Sequence, residues 1–133
     1  MMYNIHTGYN VRQVPNDEIV ILVSSLHRLT ELNIPFVFTD QHAYPLMARF
    51  FTCLDDLREV DWELLNRRDF RHDPDDPGKK ERYQAEALVW KHMPVEALLG
   101  ISCYSAAVNE ELQAEIAERG LQLRTTVQRG WYF

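Results

Sequence analysis

The sequence predicts an α+β chain, not a doubly wound α/β sheet. Short runs rich in β-branched and aromatic residues recur at irregular intervals, at 18–25, 36–39, 86–92, 100–104 and 121–127. Helical spacing is sustained over more than two turns only in two stretches, 41–60 and 110–119. Between them lie polar segments broken by Pro and Gly, so strands and helices do not alternate regularly.

In order, residues 1–16 read as a loop-rich opening punctuated by Gly8 and Pro15. Met1, Met2, Tyr3 and Asn4 read equally as ordinary packing or as disordered residues. Glu18–Ser25, EIVILVSS, reads as a buried strand. Leu26–Asn33 has a helical turn's spacing and is stopped by Ile34-Pro35, after which Phe36–Thr39, FVFT, is a second strand. Ala43, Leu46, Met47, Phe50, Phe51, Leu54 and Leu57 recur at three- and four-residue spacings, which predicts an amphipathic helix between Gln41 and Val60. Asp61 is placed to N-cap a short helix containing Leu64 and Leu65. A helical turn at Lys80–Gln84 leads into a strand at Glu86–His92, which Pro94 ends. Val95–Leu99 is a turn and Gly100–Tyr104 a strand. Asn109 is the expected N-cap of a helix over Glu110–Arg119, with acids in its first turn and Gly120 as its stop. Leu121–Val127 alternates as a final strand, and the aromatics of the closing GWYF are expected to pack onto the body.

With 133 residues and 46% hydrophobic content, the chain suits a single domain with a genuine core. No run approaches the length of a transmembrane helix, and MMYNIHTGYN has neither a basic nor an apolar leader region. Cys53 and Cys103 are too few for a disulfide scaffold and fit a reducing cytoplasm. The five histidines and two cysteines contain no C-x-x-C or H-x-x-x-H pair, so no metal is expected. No glycine-rich phosphate loop is present, which leaves kinase and Rossmann readings unsupported.

The net charge of −6 argues against a broad nucleic-acid-coating surface. Yet Arg67, Arg68, Arg71, Lys79, Lys80 and Arg82 crowd one window, interleaved with Asp69, Asp73, Asp75, Asp76 and Glu81. That window is either a self-neutralised solvated loop or a local phosphate contact, with Phe70 or Tyr83 stacking an unpaired base. Directly after it stands Glu86, an acid inside the apolar run 85–90. It is either an outward polar residue on an edge strand or a carboxylate at a strand's mouth, reaching a cleft from a rigid backbone. In the second case it can accept a sugar hydroxyl and stabilise positive charge at an anomeric carbon. His42 and Tyr44 are either a polar helix start or a surface facing a nucleotide.

Several segments together carry a resemblance: Trp62–Phe70, Asp73-Pro74-Asp75-Asp76, Arg82-Tyr83-Gln84-Ala85-Glu86, Phe38–Ala43, Pro94–Gly100 and Trp131-Tyr132-Phe133. In that combined spacing the chain resembles the DarT family of DNA-targeting ADP-ribosyltransferase toxins. The resemblance implies an ADP-ribosyltransferase-like mixed β-sheet or split sandwich with flanking helices. It also implies NAD as co-substrate, thymine in single-stranded DNA as acceptor and a macrodomain antitoxin as partner. It places the catalytic glutamate at Glu86 and makes Pro45–Ala85 the substrate-facing segment. His42, Tyr44, Arg67, Arg68, Arg71, Lys80, Arg82 and Tyr83 are then the candidate DNA contacts. The chain matches only the C-terminal two thirds or so of such a protein. The family's His-x-Thr element for NAD and its catalytic arginine have no counterpart here, since His6 and Thr7 are adjacent without a spacer. A non-catalytic fragment that binds single-stranded DNA or the antitoxin is the alternative reading.

Overall fold

Two aromatic and two β-branched residues in succession make Phe36–Thr39 a strand, β2, of the kind that packs well on a pleated surface. Around it the computed structural model, which describes residues 2–8 and 10–132 and omits side-chain detail at 2 and 3, builds the first of two compact units, 26–93. The second unit consists of the segments on either side, up to residue 25 and from Pro94 onward.

In the 26–93 unit, α2 (Leu26–Glu31) precedes β2 and buries Leu29. A two-residue strand, β3 (Phe50–Phe51), and the strand β4 (Ala87–Val89) both pair antiparallel with β2, giving the order β3-β2-β4. Register sets Phe38 opposite Phe51 on one side and opposite Ala87 on the other. The rings of Phe38 and Phe51 stack at 5.3 Å, and Phe38 is buried. The expected helix over 41–60 is therefore not formed. Its apolar residues are divided between β3, a 3-10 turn at Leu54–Glu59 and a loop in which Leu46 is fully exposed. Pro45 removes one amide, His42 Nδ1 captures the Tyr44 amide and Asp40 captures that of Arg49. Those three events withdraw donors that an α-helix needs, and Phe51 stacks on Phe38 instead.

Downstream, Asp61 caps α3 (Trp62–Arg67) as expected, its Oδ1 accepting the Leu64 amide at 3.0 Å. A turn of helix, α4 (Lys79–Arg82), comes one residue earlier than read, and the strand after it is shorter. Glu86 thus precedes β4 on an edge of its sheet.

The flanking segments open with a helix, α1 (Met2–Thr7), where a loop was expected. The reading of Met1 and of the Met2 and Tyr3 side chains lies outside the described residues, as does Phe133. The run at 18–25 contains a three-residue strand, β1 (Ile21–Val23), reached through a 3-10 turn at Asn16–Glu18. β1 pairs antiparallel with β5 (Gly100–Cys103), which in turn pairs parallel with β6 (Arg124–Val127). The crossover between β5 and β6 is α5 (Ala106–Glu118). Its cap is Ser105, whose Oγ accepts the Val108 amide, so Asn109 and the acids after it fall inside the helix. The small apolar start Ala-Ala-Val hid that boundary. The stop is as expected: Gly120 takes φ +63°, its amide reaches Ala117 O and that of Leu121 reaches Ile116 O, a Schellman closure. Of the closing aromatics, Tyr132 is buried with its hydroxyl against the carbonyl oxygens of Ile19 and Ser102, whereas Trp131 is largely exposed.

β5 and β6 approach so closely that a Cβ at Gly100 would stand 2.7 Å from the Arg124 carbonyl oxygen. Gly100→Ala should therefore cost about 1–3 kcal/mol by overpacking, read as a lower urea midpoint with an unchanged slope; an unaltered midpoint would show that the strands separate freely.

Candidate functional site

The site is built on one buried side chain, Thr39, at the end of β2. Its amide donates to Glu86 O at 2.9 Å. Its hydroxyl donates to the same oxygen at 3.3 Å and accepts the Glu86 amide at 3.2 Å. The Glu86 backbone is thereby fixed at three points before β4 begins, while its side chain stays 39% exposed. Because the carboxylate is at the strand's mouth and part-solvated, the desolvation cost of an acid inside a buried strand does not arise.

Glu86 Oε1 accepts the Ala43 amide at 2.9 Å. His42 stands beside it, with Nδ1 3.6 Å from Oε1. That separation is too long for a hydrogen bond, and Nδ1 instead accepts the Tyr44 amide at 3.1 Å. The His42 amide donates to Glu81 O at 2.9 Å, so α4 holds the 42–44 turn from its other side. Beyond the turn, Tyr44 (90% exposed), Leu46 (104%) and Met47 (82%) form an apolar tip. Its base is closed by Ala48 N to Pro45 O and by Arg49, which bonds Asp40 at 2.7 Å and Glu59 at 2.8 Å. The structure thus brings Glu86, His42 and Tyr44 together.

The basic window is tied down by its own acids. Arg67 pairs with Glu63 one turn back in α3. Arg71 and Lys79 share Asp69, at 2.7 and 3.3 Å, and the Lys79 side chain is nearly buried. Arg82 forks onto Asp76 at 3.1 and 2.6 Å and reaches Asp61 Oδ2 at 3.1 Å. Arg68 takes the left-handed conformation that ends α3, and Lys80 is exposed. Tyr83 packs on Phe70, ring centres 4.8 Å apart, while its hydroxyl accepts the Asp69 amide at 2.9 Å. Sequence reasoning missed the Ala43 amide, Thr39 and the pairing of Arg82 with Asp61 and Asp76. The first is a backbone group with no sequence signature; Asp61 was legible only as the cap of α3, and Asp76 only as part of a nearly neutral local charge.

His6 and Thr7 occupy the end of α1, beside an open recess of about 420 Å³ lined also by Gln13, Val14, Pro15 and Asn16. Among the described residues no three His, Cys, Asp or Glu side chains group as a metal site, and no helix is long and apolar enough to cross a membrane.

Hydrogen bonds from Arg71 and Arg82 hold the Asp69 and Asp76 carboxyls, respectively, below the usual carboxylate range. Since the folded values are the lower ones, the stability these pairs give is complete above about pH 4 and is lost as pH falls through the lowered values. Hydrogen exchange should accordingly show the 69–82 segment opening before β2 on acidification. Asp69→Asn should produce that opening already at neutral pH, and a segment equally protected in that variant would contradict the assignment.

Comparison with known proteins gives a consistent set of relatives. The family model for DarT, ssDNA thymidine ADP-ribosyltransferase, matches residues 1–133. A DNA ADP-ribosyl transferase of Escherichia coli O127:H6 is 48% identical over 134 residues, covering 100% of this chain and 62% of that protein. One from Thermus sp. 2.9 is 34% identical over 135 residues, covering 100% and 63%. The chain therefore spans about three-fifths of the length of the curated relatives it matches. Among solved structures, Thermus sp. 2.9 DarT in complex with carba-NAD+ superposes with a TM-score of 0.89 at 31% identity, over 99% of this chain and 67% of that one. The same protein in complex with ADP-ribosylated ssDNA gives 0.88 at 31% identity, over 99% and 63%. This agreement in sequence and fold extends along the whole chain and includes the α+β class; the chain belongs to the DarT family.

Proposed function

We propose that this chain is part of a single transferase domain that moves ADP-ribose from NAD onto a thymine base of single-stranded DNA, with Glu86 as its catalytic carboxylate. The observation that carries the reading is the geometry of Glu86: one oxygen is fixed by the Ala43 amide, and the backbone is locked on Thr39. Among the described residues no hydrogen bond occupies Oε2, so it is available to a ribose hydroxyl. Thermus sp. 2.9 DarT, of matching fold, forms complexes with NAD+ and with ADP-ribosylated ssDNA.

In this mechanism the bond between the ribose anomeric carbon and the nicotinamide nitrogen breaks, and nicotinamide departs with the bonding pair. The ribose left behind is oxocarbenium-like, and Glu86 stabilises it through charge and a hydroxyl hydrogen bond. A base nitrogen then attacks the anomeric carbon and releases its proton to water. Preorganisation is the role of the Thr39 lock, since the carboxylate need not reorganise as charge develops. Tyr44 and the exposed tip beside it give an unpaired base an apolar face to stack on, and His42 lies between that face and Glu86. An unpaired base is the cheaper one to capture. Arg67, Arg68, Arg71 and Lys80 are the proposed phosphate contacts, with Arg67 and Arg71 exchanging an exposed carboxylate partner for a phosphate. A cytoplasmic setting and pairing with a macrodomain antitoxin belong to the same reading. The contacts to the rest of NAD are assigned to none of the described residues.

The exposed apolar tip at Tyr44, Leu46 and Met47 also fits a second reading, in which the chain binds single-stranded DNA or the antitoxin without chemistry. Incubation with NAD and a thymine-containing oligonucleotide separates the two. Transfer adds the mass of ADP-ribose to the DNA, whereas a gel shift without that increment supports binding alone. Glu86→Ala should abolish transfer and leave the fold intact, and undiminished transfer by that variant would move the chemistry elsewhere. Reversing the charge at Arg67 and Arg68 should weaken oligonucleotide binding and reduce its salt slope by about one for each phosphate no longer neutralised; an unchanged slope would make both residues mere surface.

A further inference from the structure

Arg82 belongs to the basic window, yet its guanidinium is committed within the fold. Its side chain is about two-thirds buried. It forks onto both oxygens of Asp76 and sends Nε to Asp61 Oδ2, while Asp61 Oδ1 caps α3. One residue therefore ties α4 both to the start of α3 and to the end of the polar segment between the two helices. Gly78 fits the same arrangement: its φ of −84° is open to any residue, but a Cβ there would lie 3.2 Å from the Arg82 guanidinium. The small residue leaves room for the charge.

What the clamp fixes is α4, and α4 touches the site through one main-chain group. The carbonyl next to Arg82, that of Glu81, receives the His42 amide at 2.9 Å, and the neighbouring amide, that of Ala43, binds Glu86 Oε1. We infer that Arg82 is a positioning residue for Glu86, acting through the Glu81 carbonyl and the His42–Ala43 turn, and is not a contact to DNA phosphate. The catalytic meaning of this rests on the reading of Glu86 given above; the geometric coupling does not. A lysine cannot substitute, because a single ammonium point charge does not span two carboxylates as the planar fork does.

The test uses the full chain and the Ala43 amide as a probe. In proton–nitrogen NMR spectra that amide should move strongly when Glu86→Gln is made in the native protein. In Arg82→Gln and Arg82→Lys backgrounds the same substitution should move it far less, while the β2–β4 amides keep their dispersion. An Ala43 amide that responds to Glu86→Gln as strongly in folded Arg82→Gln as in the native protein overturns the inference. Should that variant not fold, Asp76→Asn, which removes only the fork, decides the matter by the same signal. Where transfer is measurable, Arg82→Gln should lower kcat on the order of tenfold or more and leave the salt slope of oligonucleotide binding unchanged. A raised KM with a shallower salt slope would return Arg82 to the phosphate contacts and overturn the proposal. If the native chain transfers nothing but Ala43 still uncouples in Arg82→Gln, only the catalytic reading of Glu86 falls.

Discussion

Three hydrogen bonds between Thr39 and the Glu86 main chain are the constraint on which the rest of the 26–93 unit depends. A buried hydroxyl is costly unless satisfied, and here it both donates and accepts, to two groups of the same residue. The bond network joins β2 to the residue before β4 where ordinary strand pairing ends, at Phe38 opposite Ala87. Without it, Glu86 would be the frayed end of an edge strand, free to swing with solvent. With it, the carboxylate is presented from a fixed backbone with one oxygen held by the Ala43 amide and the side chain still part-solvated, a combination suited to stabilising charge that appears only during a reaction.

The second organising feature is charge held against charge outside the core. Asp61, Asp69 and Asp76 take up Arg71, Lys79 and Arg82, so a segment that contains two prolines and five acids follows a defined path. Exposed pairs of this kind contribute little individually, but a shared carboxylate and a forked guanidinium are the geometries in which such pairs do matter. The consequence is a division of labour within one basic cluster. Arg82 and Lys79 face inward to acids, whereas Arg67, Arg71 and Lys80 keep their charge near water.

Much of the fold was legible because local chemistry and tertiary structure agree there. Phe36–Thr39 is a strand in both, Asp61 caps the helix it precedes, and Gly120 supplies the positive φ that ends α5. The failure at 41–60 is equally physical. Apolar spacing counts residues but not donors, and Pro45, His42 and Asp40 remove the amides that a helix there would use. The α5 boundary was misplaced because Ser105 does the capping that Asn109 looked better suited to do. At the site, the position of Glu86 ahead of a strand could be read from the abrupt change of composition. Its partner could not: the Ala43 amide belongs to the main chain, which every residue shares. The significance of the basic window was half legible, since nearly equal numbers of acids and bases forecast pairing without saying which pairs form.

The Tyr44 amide on His42 Nδ1 has a consequence for the imidazole itself. A ring nitrogen that is receiving an amide hydrogen has no hydrogen of its own, so the neutral ring must carry its single N–H on Nε2. The side chain therefore turns a lone-pair edge toward its own loop and a donor edge outward. Such a tautomer is able to hold a carbonyl oxygen in place but offers nothing on that edge to collect a proton. Main-chain geometry at one peptide group thus dictates which half of acid–base chemistry this histidine can perform.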